Sequence, residues 1–77
     1  MMRIQILGMG CPKCEKLAEA VEAVAGEMGV DYELVKVKDL KEIMSFGVMM
    51  TPALAVDGVV RSSGRIPSPG EIREFLS

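Results

Sequence analysis

Cys11 and Cys14 are the two cysteines of this chain, and they stand where a short apolar run, residues 4–7, gives way to a helical pattern. That placement constrains the fold: a strand must lead into the motif Cys11-Pro12-Lys13-Cys14 and a helix must leave it. Thiols three residues apart on a first helical turn lie on one face. There they close a disulfide or grip one soft metal ion.

The rest of the chain reads as alternating strands and helices. Residues 3–7 are short and β-prone around Ile4 and Ile6. Gly8-Met9-Gly10 is expected to be a flexible approach to the motif. Over residues 15–28, Leu17, Val21, Val24 and Met28 recur at spacings of 4, 3 and 4, which draws one apolar stripe. Pro12 suits the start of that helix, where its missing N–H costs nothing, and Gly29 suits its end. Tyr32–Val37 mixes apolar residues with Glu33 and Lys36, a pattern that fits a sheet edge.

Asp39 is expected to cap a short helix over residues 39–46, with Glu42 as its capping-box partner. Leu40, Ile43 and Met44 would form its apolar side and Gly47 its end. Ala53–Val56 and residues 59–62 flank Asp57-Gly58, a strong two-residue hairpin signal. Ser68-Pro69-Gly70-Glu71 starts a last helix with a cap, a proline at the first position and a box partner. Ile72, Phe75 and Leu76 would dock it on the sheet. The order is βαβαββα, with the first two strands parallel across a helix and a hairpin adding antiparallel strands.

Composition narrows the function classes. The 77 residues, 49% of them apolar, suit one compact domain, assigned here to residues 1–77. A net charge of −2 with dispersed Lys and Arg argues against nucleic acid as a partner. No apolar stretch approaches the roughly 20 residues of a membrane span, and the N-terminus lacks a signal-peptide pattern. A cytoplasmic monomer is therefore expected. The absence of histidine removes the usual general base.

Three elements together resemble the thioredoxin superfamily, and within it the small, glutaredoxin-sized thioredoxin-like proteins. They are Cys11-Pro12-Lys13-Cys14 at the strand-to-helix junction, Thr51-Pro52 after a short helix, and the hairpin over residues 53–60. The resemblance implies a thioredoxin-like α/β fold, a four-stranded mixed sheet in the order 2-1-3-4 with helices on both faces. It also implies a redox-active disulfide formed by Cys11 and Cys14 and no other cofactor. The activity implied is thiol–disulfide oxidoreduction on protein or small-molecule disulfides, with an unidentified electron donor, as part of cell redox homeostasis. Cys11 would be the exposed nucleophile, favoured as an anion by the helix N-terminus and by nearby Lys13, and Cys14 the resolving thiol. Pro12, Lys13, Thr51 and Pro52 would face the substrate, with Pro52 a cis-proline beside the disulfide.

The chain departs from those families in places. Gly10 stands where thioredoxins have tryptophan, and the first strand has no carboxylate. Ser62-Ser63-Gly64-Arg65 stands where glutaredoxins place a glycine-containing segment followed by an acid. The stretch from Gly8 to Cys14 is also similar to the GMxCxxC loop of small copper metallochaperones. On that alternative, Cys11 and Cys14 would bind a Cu(I)-type ion. A helix over residues 39–46, and a role for Thr51-Pro52, favour redox chemistry. Met9, Met49 and Met50 are placed either to rim the site with soft side chains or to fill the core.

Overall fold

The computed structural model describes residues 1–10 and 12–77. Its elements are β1 (Met2–Leu7), α1 (Pro12–Met28), β2 (Tyr32–Val37), α2 (Leu40–Ser45), β3 (Ala53–Val56), β4 (Val59–Ser63) and α3 (Pro69–Leu76). The sheet order is β2-β1-β3-β4, the expected 2-1-3-4 arrangement. β1 pairs in parallel with β2 and antiparallel with β3, and β3 pairs antiparallel with β4.

The sheet carries an apolar cluster on each face because β3 is apolar on both, while β1 adds Ile4 and Ile6 to one and Leu7 to the other. All four residues of β3 are buried, as are Ile4, Ile6 and Leu7 of β1. Alternation sorts them by face. Ile4, Ile6, Leu54 and Val56 pack against Leu17, Val21, Val24 and Ala25 of α1 and Ile72 and Leu76 of α3. On the opposite face, Leu7, Val37, Ala53 and Ala55 pack with Ile43 of α2. β2, which carries Glu33 and Lys36 among its apolar residues, takes the edge as expected.

The turns follow local chemistry. Asp57 and Gly58 have φ values of 52° and 84°, the double positive that a two-residue hairpin turn needs. The Asp57 carboxylate accepts from the Arg3 N–H, and the Gln5 side-chain oxygen accepts from the Gly58 N–H. The hairpin is thus pinned to β1 at the end remote from the cysteine motif. Ser68 and Glu71 form the full capping box at α3.

α2 differs from expectation in two respects. The Asp39 carboxylate accepts from the Lys41 N–H, one residue earlier than a capping box requires. Of its three apolar residues only Ile43 is buried; Leu40 and Met44 are 54% and 64% exposed. Six residues make under two turns, too short for a three-residue stripe to meet the sheet along its length. Leu40 and Met44 are left facing solvent in a groove they share with Met9. Among the described residues, no helix is long and apolar enough to cross a membrane.

Candidate functional site

The site forms where β1 ends and α1 begins. Backbone pairing carries past β1, since the Gly8 N–H donates to the Val37 carbonyl at 3.0 Å. The chain then turns through Met9 and through Gly10, whose φ is +90°, and α1 starts at Pro12. Cys14, in the first turn of α1, faces inward and is 6% exposed. Pro12 and Lys13 of the same turn are exposed. The Cys11 assignment lies outside the described residues.

Gly8 is the hub of the arrangement. It is buried, and a side-chain carbon built on it would overlap Cys14 Sγ. The same carbon would lie 3.4 Å from Cys14 Cβ and 3.9 Å from the Cα of Pro52. The structure thus brings Cys14 and Pro52 together across Gly8. The Thr51–Pro52 peptide bond is cis, as the resemblance implies, and Pro52 is buried. The Gly64 N–H donates to the Pro52 carbonyl at 2.9 Å, tying the end of β4 to this loop. Thr51 is exposed.

In the sequence, Gly8-Met9-Gly10 reads as a flexible approach. The structure corrects this: Gly8 is required for space, because its neighbours would occupy the volume of any Cβ. Its position directly after an apolar strand and three residues before Cys11 was the available signal, but a glycine-rich segment reads first as a loop.

Two hollows flank Gly8-Met9-Gly10. One is a narrow cleft of about 10 Å³ beside Cys14, lined also by Glu15 of α1 and by Lys36 and Lys38 of and just beyond β2. Glu15 Oε2 and Lys36 Nζ, 3.3 Å apart, form an ion pair between the two walls. The other hollow is an open groove of about 340 Å³, lined by Met9, Leu40, Met44, Met49 and Thr51 among others. Met9 lines the groove, whereas Gly8 and Gly10 line the cleft. The 8–10 segment is therefore a ridge between a charged side and an apolar one. Met9, Met49 and Met50 are 67%, 98% and 63% exposed, so none of them fills the core; Met9 and Met49 line the groove, whereas Met50 lies by Gly64.

The segment after β4 is fixed by charge. Arg65 donates through both terminal nitrogens to the two carboxylate oxygens of Glu71, at 3.1 and 2.7 Å. These Arg65 hydrogen bonds, then one from the Ser68 N–H, lower the Glu71 pKa to about 2. Glu71 thus stands six residues beyond Arg65, as an acid bound within the protein.

A strand–turn–helix carrying a buried cysteine, faced by a cis-proline loop in a 2-1-3-4 sheet, defines a thioredoxin-type domain. Residues 2–77 match the thioredoxin domain family. A thioredoxin of Methanocaldococcus jannaschii is 46% identical over 76 residues, covering 99% of this chain and 87% of its own. A thioredoxin of Methanothermobacter thermautotrophicus is 40% identical over 77 residues, covering both chains entirely. A probable thioredoxin of Archaeoglobus fulgidus is 30% identical over 66 residues, covering 86% of this chain and 71% of its own. The chain belongs to the thioredoxin family, and its function is of the thioredoxin-like redox kind. The metallochaperone resemblance finds no support among these relatives.

Proposed function

We propose that this protein is a thiol–disulfide oxidoreductase whose dithiol is Cys11 and Cys14, working as a single domain over residues 1–77. The observation that carries the reading is the meeting of Cys14 and Pro52 across Gly8, in a chain that matches thioredoxins along its length. The Cys11 thiolate attacks a substrate disulfide and one substrate sulfur leaves as a thiolate. Cys14, deprotonated, then attacks the Cys11 sulfur. The second substrate sulfur leaves, and a Cys11–Cys14 disulfide remains. Two electrons pass from the dithiol to the substrate, and an external dithiol donor returns them. The sulfurs carry the redox equivalents, so the cycle needs no other cofactor.

The surroundings support this assignment of roles. α1 begins at Pro12, and a helix N-terminus favours a neighbouring thiolate. Cys14, one turn in and buried, suits a resolving thiol that acts only after the mixed disulfide has formed. Pro12 and Lys13 present the exposed side of that turn. Thr51 joins Pro52 to the methionine-lined groove, which offers a soft, adaptable seat for the polypeptide around a disulfide. The setting proposed is the cytoplasm, where thiols are kept reduced.

The test is reduction of a protein disulfide such as insulin, with a chemical dithiol as donor. Wild type turns over. Cys11→Ser abolishes turnover, and Cys14→Ser accumulates a mixed disulfide on Cys11. Trapping on Cys14 in the Cys11→Ser variant, with none on Cys11 in the other, would reverse the roles. No turnover by wild type on any disulfide would reject the reading.

A further inference from the structure

Lys and Arg are dispersed along the sequence, yet the fold gathers one of them. All five lysines, Lys13, Lys16, Lys36, Lys38 and Lys41, lie at the pole that carries the site. Lys13 and Lys16 belong to the first turns of α1 and Lys41 to the start of α2. Lys36 and Lys38 line the Cys14 cleft. The carboxylates on these same segments are Glu15, Asp39 and Glu42, so this pole carries a surplus of two positive charges. The remainder of the chain has four arginines against eight carboxylates and carries −4. Among the described residues, Lys36 is held by Glu15, while Lys13, Lys16, Lys38 and Lys41 have no ion-pair partner. All five lysines are exposed.

We propose that the site's productive partner is an acidic polypeptide, one that presents carboxylates around its disulfide. This rests on the oxidoreductase reading and names the substrate class for it. A cationic pole on a molecule of net negative charge attracts an acidic partner at one end and repels it elsewhere. That arrangement orients encounters and raises the association rate more than the final affinity. The lysines stand on the charged side of the 8–10 ridge and around it, so carboxylates drawn to them bring the partner's disulfide to the mouth of the dithiol. Exposed charges are screened over about 10 Å at 0.1 M salt, so the effect is steepest in dilute salt.

The experiment uses three peptide disulfides that share one disulfide sequence and are flanked by glutamate, serine or lysine. The full-length protein reduces them at low salt and at roughly 0.15 M salt. The acidic peptide is expected to show a kcat/KM about 3- to 10-fold above the neutral one at low salt, and the basic peptide a lower value than either. The spread shrinks as salt rises. Lys38→Glu with Lys41→Glu removes or inverts the preference, whereas Arg73→Glu, on α3 and paired with Glu27 near the far end of α1, retains it. Equal rates on all three peptides, or a preference for the basic one, overturns the inference. So does equally strong competition by single-stranded DNA and by a redox-inert acidic peptide of matched charge, which marks attraction of any polyanion. A wild-type protein that reduces none of the peptides rejects the oxidoreductase reading itself, an outcome distinct from turnover without charge preference.

Discussion

Gly8 and Cys14 are packed so closely that the space a β-carbon would take at Gly8 is filled by the Cys14 sulfur. The end of β1 and the first turn of α1 thereby fix each other, and the Pro52 backbone closes the same contact. Gly8→Ala must push the sulfur, or the helix turn bearing it, away from Pro52. Overpacking of this kind costs about 1–3 kcal/mol, read as a lower denaturant midpoint. Displacement by about 1 Å at a reacting group costs up to roughly 100-fold in rate. Disulfide exchange should therefore fall by more than the stability loss explains, with the variant still folded. Wild-type turnover in Gly8→Ala would show that the close approach is not needed.

Ser62 carries the opposite lesson. It pairs with Leu54 across β3 and β4, beside a bulge in the register, and is 6% exposed. Its hydroxyl oxygen is buried and has no hydrogen-bond partner among the described residues. A buried unpaired hydroxyl loses its bonds to water without replacement. Ser62→Ala should raise stability, by about 1 kcal/mol, in equilibrium urea unfolding. A drop of that size would mean that the hydroxyl is bonded in solution.

The Arg65–Glu71 pair sets an acid limit. The folded Glu71 carboxyl is depressed from 4.5 to about 2 by the Arg65 hydrogen bonds first, then by the Ser68 N–H. A depressed folded pKa means that the unfolded chain takes up the proton first. The pair's stabilisation is thus complete above about pH 4.5 and is lost as pH falls towards about 2. Glu71→Gln should flatten that part of the stability–pH curve and leave its shape above pH 5 unaltered, to be followed by thermal melts across the acid range. An unchanged acid limb in Glu71→Gln would assign the acid sensitivity to other carboxylates.

Much of the architecture was legible because several local signals agreed at each element. Pro69 with the Ser68–Glu71 box, the Asp57-Gly58 turn and the Leu17–Val21–Val24 stripe each state one conformation, and the structure adopts all three. The Thr51–Pro52 bond is cis, as the resemblance implies, and Pro52 and Cys14 both approach Gly8. What escaped the sequence depends on contacts between distant segments. Gly8 looks like any loop glycine until the volume of Cys14 is placed against it. Leu40 and Met44 fit a buried helical stripe until the shortness of α2 leaves them outside. The lysines are scattered in the chain and converge only when α1, β2 and α2 bring their ends to one pole.

The exposed residues of α2 yield the last prediction. Leu40 and Met44 stand in solvent beside Met9 and Met49, around a groove that reaches Thr51 next to Pro52. Apolar side chains exposed singly need no explanation, but a contiguous set around an open groove marks a binding surface. If the groove seats the polypeptide flanking the disulfide, Leu40→Gln with Met44→Gln removes apolar contact worth about 1–2 kcal/mol. KM for a peptide with leucine or phenylalanine beside its cysteine should rise roughly 5- to 30-fold, with kcat retained, because uniform binding is lost and chemistry is not. A small disulfide such as bis(2-hydroxyethyl) disulfide, too short to reach the groove, should react at the wild-type rate. Stability should change by less than about 0.5 kcal/mol, since both side chains are mostly exposed. Steady-state kinetics on the two substrates decide the matter. Parallel loss on both would place Leu40 and Met44 in support of the site's geometry, and no loss on either would remove the groove from substrate binding.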